Sequence, residues 1–276
     1  MILVTGGGGF VGRRVCAHLR REGRACIGCD AQGPAGCDIT DRRAVEALFA
    51  AHPIEAVIHL AALLPSACRK NPAQATRVNI CGSANVLEAA AAHGVRRFVF
   101  GSSISVYSVG ADSGDIYGAG KRAIEMFGDL LAQSGGISFV ALRMAMVVGP
   151  GARGTASLWR SEIFEKLGSG ARQSIRIPLG GDAVRSLVYV DDAAQMLALL
   201  ATREQIPSQV YDSPAENWSM GDLKRAVEGL DGNVEVALND AGPEPAVPLA
   251  DGARFAGDFG WEAPRLADRL ADCLLK

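Results

Sequence analysis

The chain has 276 residues, enough for one large α/β domain or for such a domain with a small appendage. Its formal net charge of -2 excludes the strong positive charge that is typical of proteins that bind nucleic acid or anionic membranes. No apolar run reaches membrane-spanning length, and a predicted strand begins at Ile2 without room for a signal peptide. We therefore expect a cytoplasmic protein that acts on a small-molecule substrate, with neither nucleic acid nor a membrane as partner.

Seven cysteines are an odd number, and their spacing is not that of a disulfide framework. Cys26 and Cys29 fall in one predicted strand, where they point to opposite faces, and no second pair completes a metal site. The sequence therefore predicts free thiols and no bound metal.

A glycine-rich turn near the start of the chain indicates a ligand. An apolar run over 2–5 predicts a buried strand, and a helical pattern begins directly after the glycines. Gly6, Gly9 and Gly12 stand three residues apart, which allows a tight turn, close approach of backbone N–H groups to phosphate, and close helix–strand packing. This arrangement predicts a bound dinucleotide. The cofactor contacts expected in the turn are Gly6, Gly9, Phe10, Val11 and Gly12.

Asp30 ends the second predicted strand, 18 residues after Gly12. A carboxylate there accepts hydrogen bonds from the hydroxyls of the adenosine ribose and repels a 2′-phosphate. No arginine follows directly in Ala31-Gln32-Gly33, so NAD is favoured over NADP. The alternative is an exposed aspartate at a strand end.

Asp38 and Ile39 precede an amphipathic helix, and two interpretations apply to them. In one, Asp38 faces the adenine amino group and Ile39 packs against the ring. In the other, the polar cluster only caps the helix, through Thr40 or Asp41. Both can hold together.

The third predicted strand ends in residues that let a backbone approach the cofactor closely: Leu60, Ala61 and Ala62. His59, at the same strand end, is interpreted as structural because no acid or nucleophile is paired with it nearby. A long helix is predicted from about Ala75 to His93.

The fourth predicted strand leads into a polar segment with Ser103 and Ser105, at the carboxyl edge where parallel sheets hold their chemistry. In the next helix, Tyr117 and Lys121 are four residues apart and share one face. A nearby ammonium and a positively charged nicotinamide both favour the phenolate of Tyr117. Tyr117 is then the proton acceptor for a substrate alcohol, and Ser103 holds the same oxygen. The alternative is an ordinary helix start that carries a surface lysine.

Six motifs occur in order along residues 1–200. They are Thr5-Gly6-x-x-Gly9-x-x-Gly12, Asp30, Asp38-Ile39, His59-Leu60-Ala61-Ala62, Ser102-Ser103 with Val106-Tyr107, and Tyr117-x-x-x-Lys121. Their combination resembles the extended short-chain dehydrogenases/reductases, the group that contains the NAD-dependent epimerases and dehydratases.

The resemblance implies an α/β fold with a doubly wound Rossmann-type parallel sheet, NAD as cofactor, and catalysis by Ser103, Tyr117 and Lys121. It further implies that Lys121 contacts the nicotinamide ribose and that Asn79 lies near the cofactor. The remaining expected cofactor contacts are Leu60, Ala61, Ala62, Tyr117 and Met144. Family members often form homodimers through two long helices, which correspond here to 75–93 and 117–132.

The second half of the chain predicts a small C-terminal substrate-capping lobe. We expect a dinucleotide-binding domain of residues 1–145 and 174–212, and a capping region of residues 146–173 and 213–276.

Two polar features of this half have open interpretations. Arg185 is either a solvated charge or a residue that binds an anionic substrate, together with Ser103 and Ser105. Asp191 or Asp192 is expected to cap a helix over 193–201.

Three departures from the family pattern bear on the substrate. Met146 lies in a segment where nucleotide-sugar enzymes usually carry an asparagine, and it cannot donate the hydrogen bonds of an amide. Ser103 and Tyr117 are only 14 residues apart, and the C-terminal lobe is short. By analogy of fold, these features favour a small secondary alcohol or ketone, such as a sugar acid or hydroxy acid. The alternatives are a nucleotide-sugar epimerase or dehydratase with tightly held NAD, and a non-catalytic NAD-binding regulator.

Overall fold

The structure is a computed structural model that describes residues 1–31, 36–110, 116–153, 157–239 and 247–275. The strands are β1 (Ile2–Thr5), β2 (Cys26–Cys29), β3 (Ala56–His59), β4 (Arg97–Ser103), β5 (Ser138–Met144), β6 (Met146–Val148), β7 (Gln173–Arg176), β8 (Val184–Tyr189), β9 (Val210–Asp212), β10 (Glu216–Ser219) and β11 (Val234–Ala237). The α-helices are α1 (Phe10–Arg21), α2 (Arg42–Ala51), α3 (Pro65–Lys70), α4 (Pro72–Ala75), α5 (Ser83–Ala92), α6 (Ile116–Gln133), α7 (Trp159–Glu165), α8 (Val190–Thr202), α9 (Met220–Leu230), α10 (Ala253–Phe259) and α11 (Leu266–Ala271). A π-helical segment spans Thr76–Gly82, and 3₁₀ segments span Ile104–Ser108 and Asp272–Leu275.

The chain divides into two compact units. The first contains Met1–Met144 and Ala193–Asp212, and the second contains Ala145–Asp192 and Ser213–Lys276. The sequence predicts residues 145 and 174–192 in the first unit, whereas the structure includes them in the second. Strand β8 accounts for the difference, because it pairs with β6 and β10 and not with the main sheet.

The first unit is built on a six-stranded sheet with the order β2-β1-β3-β4-β5-β9, and every neighbouring pair is parallel. After β2 the chain returns to the other side of β1, so the strand order reverses between β1 and β3. Open parallel sheets bind ligands beyond the carboxyl ends of their strands at such a reversal. The predicted doubly wound sheet is confirmed.

Apolar strands form the core of this unit. All four residues of β1 and all four of β3 are buried, as expected for strands that helices cover on both faces. The rings of Phe98 and Phe139 stack with their centroids 6.0 Å apart between β4 and β5. This core fixes the strand ends that carry the candidate site.

The helix predicted over 75–93 is not one continuous α-helix. It consists of α4, the π-helical segment and α5. Single π-helical turns inside α-helices occur frequently at functional sites. The segment here contains Asn79, which the family resemblance predicts to lie near the cofactor.

Helix α8 begins at Val190, so Asp191 and Asp192 lie in its first turn, and the prediction that one of them caps a helix over 193–201 is wrong. Negative charge in a first turn is favourable because of the helix dipole. Asp192 is also paired with Arg269, whose Nη2 lies 2.8 Å from its Oδ1.

The second unit has a core of its own between two small sheets, β10-β8-β6 and β11-β7. Trp159, Ile163 and Phe164 of α7 and Leu223 of α9 are buried in it. Residues 154–156 and 240–246 of the predicted capping region lie outside the described ranges.

Gly128 lies inside α6 against Phe139, and this contact predicts the effect of an added methyl group. A Cβ at Gly128 would overlap the Phe139 ring, so we expect Gly128→Ala to lower the free energy of unfolding by about 1–3 kcal/mol. Gly229 in α9 has open space at the same position, so Gly229→Ala should raise that free energy by about 0.5–1 kcal/mol. Urea unfolding followed by circular dichroism measures both. A stabilising effect of both substitutions would contradict this packing of α6 on β5.

Candidate active site

The turn between β1 and α1 presents an open helix N-terminus. Gly6 has a φ of 70°, a conformation that residues with a Cβ rarely adopt. Gly12 packs so closely that a Cβ would overlap the carbonyl oxygen of Gly6. Helix α1 begins after Gly9 with no side-chain cap and no acidic residue in its first turn. The N–H groups and the dipole of such a helix end attract an anionic group such as a diphosphate.

Asp30 is held against this turn. Its Oδ2 accepts a hydrogen bond from the backbone N–H of Gly8, while the N–H groups of Gly6 and Gly7 donate to the carbonyl oxygen of Cys29 at 2.8 and 3.2 Å. A carboxylate next to an open helix end fits the ribose and diphosphate of NAD. Gln32 and Gly33, on which the preference for NAD over NADP partly rests, lie outside the described residues.

The loop after β3 packs on the same turn. A Cβ at Gly6 would overlap the backbone of Leu60 and Ala61. Thr5 holds this loop, because its Oγ1 accepts hydrogen bonds from the N–H groups of Leu60 and Ala61 at 3.2 and 3.3 Å. Ala62 follows in the loop and is half-buried. The residues after β1 and after β3 that are predicted to contact the cofactor thus lie next to one another.

His59 forms a hydrogen bond with Thr5, the residue that holds this loop. Its Nδ1 lies 2.7 Å from Thr5 Oγ1 and its Nε2 lies 2.9 Å from Ser83 Oγ. The Thr5 oxygen accepts from two N–H groups, so its own proton is donated to Nδ1, and Nε2–H donates to Ser83. Burial, with the charge of Lys121, lowers the pKa of His59 to about 3. The neutral, fully bonded ring agrees with the structural interpretation of this histidine.

Asn79 fixes the next part of the loop. Its Oδ1 accepts a hydrogen bond from the N–H of Leu63 at 2.7 Å, and its Nδ2 donates to the Leu63 carbonyl oxygen at 2.9 Å. Its side chain is buried. Asn79 therefore acts on the candidate cofactor site through the backbone of this loop.

Asp38 and Asp41 both make local contacts. Asp38 is exposed, and its Oδ1 accepts from the N–H and the hydroxyl of Thr40 at 2.9 and 2.8 Å. Asp41 caps α2 by accepting from two N–H groups of the first turn. Ile39 is buried, next to Gly82. The capping interpretation is confirmed for Asp41, and contact of Asp38 and Ile39 with adenine stays a prediction.

Ser103 stands at the end of β4 and caps the 3₁₀ segment Ile104–Ser108. Its Oγ accepts from the N–H of Ser105 at 3.1 Å and donates to Ser105 Oγ at 3.1 Å. The first turn of α6 approaches the same place, since a Cβ at Gly118 would overlap the Ser105 carbonyl oxygen. The start of α6, which contains Tyr117, therefore packs against the serine segment.

Lys121 is buried one turn further along α6. Its Nζ donates to the carbonyl oxygen of Gly101 at 2.6 Å and lies 5.7 Å from the centroid of the Tyr117 ring. Burial lowers the pKa of Lys121 to about 8, although the charges of Cys68 and Glu125 act to raise it. An ammonium near a phenol favours the phenolate.

The last two predicted residues lie in different units. Met144 pairs with Ser103 across β5 and β4, so it stands at the same sheet edge. Arg185 lies in β8 of the second unit, opposite Trp218 of β10. Arg185 is half-buried.

A polar network in the first unit, centred on the buried Glu125, was not predicted from the sequence. Its members are Ser102, Tyr107, Arg122, Glu125, Arg143 and Asp212. One sequence feature could have indicated the role of Glu125. It is an acidic residue between the buried positions Ile124 and Gly128, one helical turn after Lys121.

Within the described ranges, no group of three or more histidine, cysteine, aspartate and glutamate side chains is arranged to hold a metal ion. Nor does any helix there have both the length and the apolar character needed to cross a membrane.

The strand order and the glycine turn define an α/β protein of the Rossmann type with a dinucleotide site. The chain belongs to the NAD dependent epimerase/dehydratase family, whose sequence model matches residues 2–212. It is therefore an NAD-dependent enzyme of the extended short-chain dehydrogenase/reductase type. The predictions of fold, family and cofactor are confirmed, and the alternative of a non-catalytic regulator is set aside.

Known relatives include sugar-nucleotide epimerases. The UDP-glucose 4-epimerase of Bacillus subtilis is 26% identical over 324 aligned positions, which cover 98% of this chain and 95% of that protein. The solved UDP-glucose 4-epimerase of Thermotoga maritima with UDP-glucose is 26% identical with a TM-score of 0.82, over 99% of this chain and 97% of that one. The L-threonine dehydrogenase of Phytophthora infestans shares the fold with a TM-score of 0.87 at 21% identity, over 99% and 97%.

Lys121 makes stability depend on pH in a defined direction. Folding lowers the pKa of Lys121 from 10.5 to about 8, so between these pH values the unfolded chain holds a proton that the folded protein has released. Stability from this group therefore rises with pH through that window. At neutral pH we expect the free energy of unfolding of Lys121→Met to be roughly 2 kcal/mol higher than that of the parent protein. This difference already includes the loss of the hydrogen bond that the substitution removes. The advantage should shrink as the pH rises from 8 towards 10.5.

Denaturant unfolding of both proteins at neutral and at alkaline pH measures this difference. A difference in free energy of unfolding that stays constant with pH would contradict the burial of a charged ammonium at this position.

Proposed function

We propose that this enzyme catalyses the NAD-dependent interconversion of a small secondary alcohol and its ketone, such as a sugar acid or a hydroxy acid. The supporting observation is one sheet edge that holds both the open end of α1 and the side chains of Ser103, Tyr117 and Lys121. The glycine turn and Asp30 fit NAD, and bound NAD supplies a nicotinamide that accepts or returns a hydride.

Each of the three side chains has a role in this proposal. Tyr117 accepts the proton of the substrate hydroxyl during oxidation and returns it during reduction. The Lys121 ammonium, 5.7 Å from the centroid of that ring, stabilises the phenolate. Ser103 donates a hydrogen bond to the same substrate oxygen, and Ser105 orients the Ser103 hydroxyl.

Two features support a small substrate. Met146 has a thioether that cannot donate the hydrogen bonds of an asparagine amide. The alignment with the Bacillus subtilis epimerase has 324 positions, more than the 276 residues of this chain, so this chain has gaps relative to that enzyme. With these gaps, fewer residues are present to enclose a bulky substrate.

A nucleotide-sugar epimerase is the second candidate, and it is favoured by the relatives that are UDP-sugar epimerases. In that reaction the substrate is oxidised and reduced again within one cycle, so NADH does not accumulate. We propose that the second unit binds the substrate in either case. Arg185 would then meet an anionic group with its planar guanidinium, a carboxylate in the first case or a diphosphate in the second.

We also propose a cytoplasmic location. All seven cysteines are free thiols in the structure, which is typical of proteins in reducing compartments.

Replacement of Tyr117 tests the proposed chemistry. We expect Tyr117→Phe to bind NAD like the parent protein and to lower kcat by at least about 100-fold, because the proton acceptor is lost. Tyr211→Phe, a buried tyrosine of β9, is the matched control and should retain kcat. The assay is a panel of sugar acids, hydroxy acids and UDP-sugars, followed by NADH absorbance and by product analysis.

The panel also separates the two candidate functions. NADH that accumulates with an acid supports the first, whereas an epimerised UDP-sugar without NADH supports the second. Full activity of Tyr117→Phe would reject the assigned role.

We propose a homodimer formed through α6. Met126 and Leu130 lie one turn apart on this helix and are 60% and 63% exposed, which is unusual for two large apolar side chains that are neighbours on a helix surface. We expect the double substitution Met126→Glu and Leu130→Glu to convert a dimer to a monomer in sedimentation, because two buried charges without partners oppose association. Leu158→Glu, an exposed leucine of the second unit, should leave the dimer intact. A parent protein that sediments as a monomer at micromolar concentration would refute the proposal.

A further inference from the structure

Glu125 is a buried carboxylate one helical turn after Lys121, with a side chain only 1% exposed. Its Oε1 accepts from Ser102 Oγ at 2.7 Å and from Arg143 Nε at 2.9 Å. Its Oε2 accepts from Arg143 Nη2 at 2.6 Å and from Arg122 Nη1 at 3.1 Å. Burial acts to raise the pKa of Glu125, but the hydrogen bonds from Arg143 and Ser102 outweigh it and leave that pKa below its ordinary value. Glu125 is therefore ionised at neutral pH.

The partners of Glu125 are the immediate neighbours of candidate site residues. Ser102 precedes Ser103 at the end of β4, and Arg143 precedes Met144 at the end of β5. Both strand ends are bonded to one carboxylate of α6. Paired and hydrogen-bonded buried charges hold their geometry tightly, because separation would leave a charge without a partner.

A second arm of the network leads to the 3₁₀ segment. Arg143 Nη1 donates to the Tyr107 hydroxyl at 2.9 Å, and that hydroxyl donates to Asp212 Oδ1 at 2.8 Å. The guanidinium of Arg143 also lies 4.9 Å from the centroid of the Tyr107 ring. Burial and the bond to Asp212 raise the pKa of Tyr107, so its hydroxyl keeps its proton. The segment that begins with the cap at Ser103 is thus fixed at both of its ends.

The charge of Glu125 also acts on Lys121. The groups that face the ammonium are Glu125 and Tyr117 on α6, Cys68 on α3 and His59 on β3, while β4 contributes a carbonyl oxygen. His59 is neutral. The charges of Cys68 and Glu125 act to raise the pKa of Lys121 and oppose the larger effect of burial.

We propose that Glu125 is a positioning residue for the reaction. Through Ser102 and Arg143 it sets the ends of β4 and β5 against α6, and its negative charge, one helical turn from Lys121, favours the protonated form of that lysine. This inference rests on the proposed function, in which Lys121 stabilises a phenolate and Ser103 holds the substrate oxygen. Tyr107 extends the positioning to the serine segment.

The charge effect is tested without a substrate. The chain contains five lysines, so NMR of protein labelled at the lysine ε-carbons follows them one by one, and Lys121→Met assigns the signal of Lys121. We expect a titration midpoint of about 8 in the parent protein and a lower midpoint in Glu125→Gln, because the negative charge that favours the ammonium is lost. Glu228→Gln is the matched control, because it breaks a pair with Lys224 at the same i,i+4 spacing. It should leave the Lys121 midpoint unchanged.

The positioning effect is tested with variants that keep the Glu125 charge. Ser102→Ala and Tyr107→Phe each remove one hydroxyl of the network, and we expect each to lower kcat about tenfold on the substrate found in the panel. The Lys121 midpoint should not move in either variant. A merely structural role would instead lower thermal stability without a change in kcat or in the midpoint.

The outcomes separate this inference from the proposed function. An unchanged Lys121 midpoint in Glu125→Gln overturns the charge effect, and unchanged kcat in both hydroxyl variants overturns the positioning effect. If Glu125→Gln does not fold, Glu125→Asp keeps the charge and should retain a midpoint near 8 with a lowered kcat; a midpoint that falls in this variant also overturns the charge effect. Failure of the proposed function gives a different result, because Tyr117→Phe would then keep full activity.

Discussion

The absence of a side chain at Gly6 is the constraint on which the first unit depends. The backbone of Leu60 and Ala61 occupies the space where a Cβ would lie, and Gly12 packs on the Gly6 carbonyl oxygen. Strand β1, helix α1 and the loop after β3 therefore meet at one point without any intervening side chain. This close packing aims the N-terminus of α1 at the carboxyl edge of the sheet, where the parallel strands also deliver their polar residues.

The buried ammonium of Lys121 shows what the site costs in stability. A protonated lysine at a buried position is unfavourable, and burial lowers the pKa of Lys121 for the same reason. The protein reduces the penalty with the carbonyl oxygen of Gly101 and with the charge of Glu125, which is itself held by Arg143. In the proposed reaction, function and stability therefore oppose each other at position 121, and we propose that the polar network of β4, β5 and α6 reconciles them.

The family assignment and the relatives identify the type of reaction, NAD-dependent hydride transfer, but they do not identify the substrate. The chain shares its family with UDP-glucose 4-epimerases over nearly its full length. Its second unit has a separate core, and that core includes the strand with Arg185. We propose that this unit selects the substrate, whereas the sheet edge of the first unit carries the proton and hydride chemistry.

The sequence by itself determined the features that depend on local spacing. The glycines three apart, the i,i+4 pair Tyr117 and Lys121, and the apolar runs of the parallel strands each follow from the period of a turn, helix or strand. Only the tertiary structure decided which distant residues meet. Thr5 bonds to His59 across 54 positions, and Arg143 bonds to Glu125 across 18. No local periodicity encodes such contacts, because these side chains meet only after separate strands and helices have packed together.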